Sequence, residues 1–266
     1  MEELTTQLIH VQSLLVGASI EIPVLGLSLP ILEVMHAILI NYTYRSLLKE
    51  HHTRIGWYQG LLATIVMCAG GGSTVCILRG EPLGILKSNQ FWGIYGVTYW
   101  LMFSNPYFFQ FLEYLFAIPV VEQLFTVADG ILRNMSIVSN GVDGVAASIG
   151  ADKWVAQVLC GTLAGCGGGL WIDAFKLTSA HWSFSTPRLL HTASIDMKSS
   201  FITALFYTVM SSPQLCEAFG LPILKPEAAQ VWSAVILTTG LLYRTIVSKM
   251  EKAQAPSEIS DEKKDN

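Results

Sequence analysis

Charge is what this 266-residue chain has least of. Only 14% of its residues are Asp, Glu, Lys or Arg, about half of the roughly 25% usual in soluble domains. Hydrophobic residues make up 52%, and the mean hydropathy is +0.46. A water-soluble fold of this length cannot cover itself with so few polar groups, which excludes a soluble enzyme domain and a nucleic-acid binder. Cysteine is also scarce. The five cysteines, Cys68, Cys76, Cys160, Cys166 and Cys216, are odd in number and lack metal-ligand spacing, so no disulfide scaffold or metal site is expected. P-loop, nucleophile-elbow and H-E-x-x-H patterns are missing, and Asp129, Asp143 and Asp173 form no paired-carboxylate motif. Nothing supports an enzyme. The N-terminus has no basic n-region, so no cleavable signal peptide is expected.

What the chain does have is apolar blocks of about 20 residues, the length that crosses roughly 30 Å of hydrocarbon. The sequence therefore predicts an all-α membrane protein with seven transmembrane helices, near Ser28–Leu48, Trp57–Arg79, Phe91–Leu112, Val120–Ser139, Trp154–Lys176, Lys198–Val209 with its flanks, and Ala228–Lys249. Residues 1–27 form an N-terminal segment in which Leu8–Ile22, too short to span, is expected to lie at the interface or against the bundle. Residues 28–250 form the helical domain. Residues 251–266, polar and of mixed charge, form a disordered tail. With the C-terminus cytoplasmic, 11 of the 16 basic residues fall on the cytoplasmic side and four on the other, the bias expected of inside loops. The tail carries Lys263 and Lys264 at the fourth and third positions from the end, the pattern of a dilysine retrieval signal of the endoplasmic reticulum. A chance pair in a charged tail is the plainer alternative.

The second and fifth blocks share a peculiarity. Gly70-Gly71-Gly72-Ser73-Thr74 lies in one and Gly167-Gly168-Gly169 in the other, the triplets 97 residues apart and each followed seven positions later by a basic residue, Arg79 or Lys176. Three spans, three spans and one extra is an inverted repeat, since a three-helix unit must return upside down. Each interior glycine costs about 1 kcal/mol against alanine. The triplets are therefore expected to break the two helices and line a permeation path, with Ser73 and Thr74 adding hydroxyls. Close packing through small residues is the alternative that needs no pore.

One charge falls well inside a span. Arg133 in the fourth helix costs at least about 2.5–3.5 kcal/mol at membrane depth and needs a partner. Asp129, one turn earlier, offers an intrahelical ion pair, and a polar cavity with an anion is the sharper reading. Lys198 begins the sixth span, where it snorkels to the interface or faces a pore. Glu33 and His36 are three apart but lack the further carboxylates of a metal site. The sequons at Asn41 and Asn134 sit in or at the ends of spans and are expected to be unglycosylated.

Taken in order, the glycine-bearing second span running into Arg79-Gly80-Glu81-Pro82, Trp100 in the third span and Lys198-Ser199-Ser200 opening the sixth resemble the trimeric intracellular cation (TRIC) channel family, in particular its animal type B branch. The resemblance covers roughly residues 30–247. It implies a homotrimer in which each subunit carries its own pore between two inverted three-helix repeats, with the seventh helix peripheral. It implies a channel for potassium and sodium that prefers potassium, sits in the endoplasmic or sarcoplasmic reticulum membrane with its N-terminus lumenal, and supplies counter-current for calcium release and uptake. It also implies a bound phosphatidylinositol bisphosphate, held in the family by a lysine and an arginine one turn apart on the fourth helix and by the glycine-rich kink. By position the arginine is Arg133 and the kink is Gly71–Gly72. The lysine's place is taken by Asp129, which repels phosphate. A secondary transporter also fits inverted repeats and broken helices, and a non-conducting scaffold is a third reading.

Overall fold

The computed structural model describes residues 2–23 and 27–254. Lys263 and Lys264 therefore lie outside the described residues. Helix α1 (Glu2–Gly17) leads into an antiparallel hairpin of β1 (Ser19–Ile22) and β2 (Leu27–Pro30), in register Ser19 to Pro30 and Ile22 to Leu27. Then follow α2 (Ile31–Leu48), α3 (Trp57–Leu78), α4 (Asn89–Ser104), α5 (Pro106–Phe116), and α6 (Pro119–Met135), continued through a π-helical stretch Ser136–Asp143 into α7 (Gly144–Ser148). The chain is completed by α8 (Trp154–Phe175), short α9 (Arg188–His191), α10 (Ile195–Ser211), α11 (Pro213–Phe219) and α12 (Pro226–Gln254).

Among the described residues, three helices are long and apolar enough to cross a bilayer alone: Trp57–Leu78, Trp154–Phe175 and Pro226–Glu251. Pro106–Phe116 and Val120–Ser148, bent by 99° at their junction, would make a fourth if the two crossed as one span. Helices α2 and α10 are shorter, at 18 and 17 residues, carry Glu33 and Arg45, and Asp196 and Lys198, and are not among them. The apolar exterior has the same meaning as the spans. Tyr58, Val97, Trp100, Phe111, Val155 and Ile202 are all exposed, an arrangement that water would penalise and lipid does not.

Helices α3 and α8 form the centre. They run antiparallel, with Met67 opposite Gly168 and Gly71 opposite Ala164, so their C-termini lie at opposite ends of the bundle. Helix α8 also packs on α10 and the π-helical stretch, α10 on α12, α12 on α6, and α6 on α2, which holds α4. Asn134 ties α6 to α12 by donating to the Gln230 carbonyl at 3.0 Å.

Several expectations need correction. The glycine triplets do not break their helices: α3 and α8 are continuous through Gly70–Gly72 and Gly167–Gly169. The break falls in the third predicted span. Pro106 has no N–H to donate to the Met102 carbonyl four residues back, so α4 stops at Ser104. Asn105 caps α5 by accepting from the N–H groups of Tyr107 and Phe108 at 3.0 and 3.3 Å, and the Arg45 guanidinium takes up the orphaned Met102 oxygen. The predicted Leu8–Ile22 helix ends at Gly17, its remainder being strand β1, and the first long helix begins at Ile31 rather than Ser28. The fourth runs on from Ser139 to Ser148 because the π-helical stretch keeps the axis continuous.

Helix α3 ends as its sequence requires. The Gly80 N–H donates to Ile77 O at 3.0 Å and the Glu81 N–H to Cys76 O at 2.8 Å, a Schellman motif whose left-handed residue is Gly80 (φ +68°). Helix α8 closes in the same way, but there Lys176 itself takes the left-handed position (φ 49°).

Candidate functional site

The glycines of α3 and α8 bring two helix backbones into contact. A Cβ on Gly71 would stand 2.5 Å from the Leu163 carbonyl oxygen and 2.6 Å from that of Ala164. One on Gly167 would stand 2.6 Å from the Gly71 Cα, and one on Gly168 would collide with the Met67 carbonyl. Thr74 donates to the Gly70 carbonyl and accepts from the Trp171 indole, both at 2.7 Å. Gly71, Gly167 and Gly168 are therefore packing positions, and the chain meets the cost of interior glycines through close approach rather than by a kink. Gly72 and Gly169 differ. A Cβ on Gly72 would meet only Ser136 Oγ at 3.5 Å and Asn140 Nδ2 at 3.8 Å, and one on Gly169 would meet nothing within 4 Å.

That freedom reflects hollows beside the crossing. A cavity of about 340 Å³ at the C-terminal end of α3 is lined by Glu33, His36, Gly72, Ser73, Arg133 and Asn140, among others. It adjoins one of about 120 Å³ at the helix crossing, with which it shares His36, Cys68, Arg133 and Ala164. That one shares Cys166, Gly169, Ile172 and Asp196 with a cavity of about 900 Å³ at the C-terminal end of α8. Because α3 and α8 are antiparallel, the three hollows follow one another along the pair, the smallest in the middle.

Arg133 stands at that centre. Its Nη2 donates to Asp129 Oδ2 at 2.6 Å and its Nε to Asp129 Oδ1 at 3.3 Å. Nη1 reaches the Gly165 carbonyl at 3.4 Å and lies 3.9 Å from Asp196. Asp196 is in turn gripped by Arg244 at 2.7 and 2.8 Å. On the other side, His36 Nε2 lies 3.3 Å from Asp129 Oδ1, and its Nδ1 shares a 2.5 Å hydrogen bond with the Tyr95 hydroxyl. The network thus joins α4, α2, α6, α10 and α12, with Asp129 only 1% exposed. Arg133 pairs with Asp129 within its own helix and also lines two of the cavities.

Lys198 is exposed on α10 and lines none of these hollows. Tyr95, Asp196 and Arg244 escaped the sequence reading, and His36 was weighed there only with Glu33, because their partners lie on other helices. Arg79, the end of the second predicted span, has a side chain only 8% exposed. It donates to Glu81 Oε1 at 2.6 Å, Ser148 Oγ at 3.1 Å and the Asn140 carbonyl in the π-helical stretch at 3.3 Å. All five cysteines are unpaired. Asn41 and Asn134 are fully buried, which closes both sequons to glycosylation. Among the described residues no group of three His, Cys, Asp or Glu is placed to hold a metal ion.

An apolar exterior around antiparallel glycine-lined helices, with charged side chains strung between hollows at opposite ends, defines a multi-pass membrane protein with a polar interior. The chain belongs to the TRIC channel family, whose model matches residues 55–220, and that family is one of channels rather than enzymes. Similar solved structures include one described under the structural basis for activity of TRIC counter-ion channels in calcium release. It has a TM-score of 0.67 and 18% identity, over 90% of this chain and 99% of that one. A trimeric intracellular cation channel from C. elegans without calcium matches with a TM-score of 0.63 at 18% identity, over 91% and 97% of the two chains. The same channel with bound calcium gives 0.63 at 17%, over 90% and 97%. No curated protein matches. At these identities the likeness is one of fold.

Proposed function

We propose that this chain is a monovalent cation channel, preferring potassium over sodium, that supplies counter-ion current across the endoplasmic or sarcoplasmic reticulum membrane when calcium is released or taken up. The observation that carries the reading is the succession of three cavities along the antiparallel α3–α8 pair, the smallest of them, about 120 Å³, lined by Arg133. In this reading the chain crosses the membrane seven times. Helices α2, α3 and α4–α5 form one three-helix unit, α6–α7, α8 and α10 form its inverted copy, and α12 stands outside both. The antiparallel contact of α3 with α8 supports that symmetry. The N-terminus is lumenal and the C-terminus cytoplasmic, on the strength of the basic-residue bias, and three copies assemble, each with its own path.

Phosphatidylinositol bisphosphate is the proposed lipid ligand, at Arg133 beside Gly72. Its phosphate must compete with Asp129 and the Gly165 carbonyl for the guanidinium, so binding is weaker than where a lysine holds position 129.

Recording of the purified full-length chain in planar bilayers tests the function. Ohmic unitary currents carried by potassium are the expected result. Solute movement into liposomes without unitary currents overturns it and favours a secondary transporter, in which broken or glycine-lined helices are equally at home.

A further inference from the structure

We propose that Glu33 sets the preference of this passage for cations over anions, an inference that rests on the channel reading above. Glu33 lies in the first turn of α2, three residues before His36 and on the same helix face. It is half-buried and lines the cavity of about 340 Å³ together with Ser73, Ser88 and Asn140. Among the described residues no cationic side chain lies within ion-pair distance of its carboxylate.

The other charges along the narrow part cancel. Arg133 is held by Asp129 at 2.6 Å and faces Asp196 at 3.9 Å, while Asp196 is bound by Arg244. Two guanidinium groups thus meet two carboxylates. His36 sits between the Tyr95 hydroxyl and Asp129, bonded to the first and 3.3 Å from the second. Among the described residues, Glu33 is therefore the charged side chain lining the cavity of about 340 Å³ that has no ion-pair partner. An uncompensated carboxylate on a concave surface with low-dielectric walls concentrates cations and repels anions. Hydroxyl and amide groups beside it supply oxygens to a partly dehydrated ion without fixing it in place.

Reversal potentials of the reconstituted full-length chain in a KCl gradient test the assignment. Glu33→Gln is expected to lower the potassium-to-chloride permeability ratio by about threefold or more, Glu33→Lys to lower it further, and Glu33→Asp to keep it near the wild-type value. The Glu33→Gln effect should shrink as KCl is raised from about 0.1 M to about 1 M, where the screening length falls from about 10 Å to about 3 Å. An unchanged reversal potential in Glu33→Gln, with unitary currents intact, overturns the role of Glu33 and leaves the channel reading standing. Absence of unitary currents from the wild type overturns the channel reading and this inference with it. Should Glu33→Gln not fold, the wild type alone decides: a ratio that falls with salt supports the inference, and a ratio independent of salt overturns it.

Discussion

His36 Nε2 lies 3.3 Å from Asp129 Oδ1, a contact that joins α2 to α6 across 93 residues of chain. Asp129 is the node of the interior network because both of its oxygens are used, Oδ2 by Arg133 and Oδ1 by His36 and the Arg133 Nε. A carboxylate this buried persists only while such partners hold it. Asp129 thus neutralises Arg133 from within the same helix.

Asp129→Asn is expected to destabilise the protein by about 3–5 kcal/mol, the usual cost of leaving one member of a buried pair uncompensated. Arg133→Gln added to it should recover much of that loss. Thermal unfolding in detergent of the two single variants and the double checks the coupling; strictly additive losses would contradict the pairing.

Asp129→Lys should raise affinity for vesicles containing phosphatidylinositol bisphosphate, because it frees Arg133 and adds a second cation one turn away. Co-flotation with such vesicles measures this, and an unchanged bound fraction would count against Arg133 as the lipid contact. Arg133→Ala is expected to alter open probability or lipid dependence in bilayers while leaving the assembled size on a sizing column unchanged.

The glycines divide into two classes with opposite outcomes. Gly71→Ala and Gly168→Ala place a methyl against the opposing backbone, and backbone cannot move aside as a side chain can. Overpacking typically costs about 1–3 kcal/mol, so both variants should melt at lower temperature. Gly169→Ala, whose methyl meets open space, should melt at or slightly above the wild-type temperature, helped by its better helix propensity. Equal melting points for Gly168→Ala and Gly169→Ala would show that the helices are not in contact.

Arg45→Ala removes the donor that satisfies the Met102 carbonyl at the α4–α5 break and the guanidinium that lies 4.3 Å from the Phe109 ring centroid. A stability loss of about 2–3 kcal/mol follows from an unsatisfied buried acceptor plus the lost cation–π contact. Limited proteolysis near Ser104–Pro106 should become faster, and unchanged cleavage would show that the break holds without Arg45.

By itself the sequence determined the solvent, the approximate extent of most long helices, and the importance of Arg133 and the two glycine triplets. These are properties of runs and periods: apolar length, glycine spacing, one charge out of place. Pro106 was visible as a residue, yet the break it makes was obscured because the aromatic residues on both sides keep the hydropathy high. The strand Ser19–Ile22 reads as the end of an apolar helix because Ile20 and Ile22 prolong the apolar run that precedes them. The tertiary structure alone decided that the glycines join α3 to α8 instead of breaking them, because a glycine's role depends on what lies opposite its missing side chain. It alone assembled Tyr95, His36, Asp129, Arg133, Asp196 and Arg244 into one network, since those residues come from five helices and only their packing brings the charges within reach. The scarcity of charge that marks the chain as a membrane protein is also the reason the few interior charges must find each other. In apolar surroundings a charged side chain is held at least cost by an opposite charge or a backbone group.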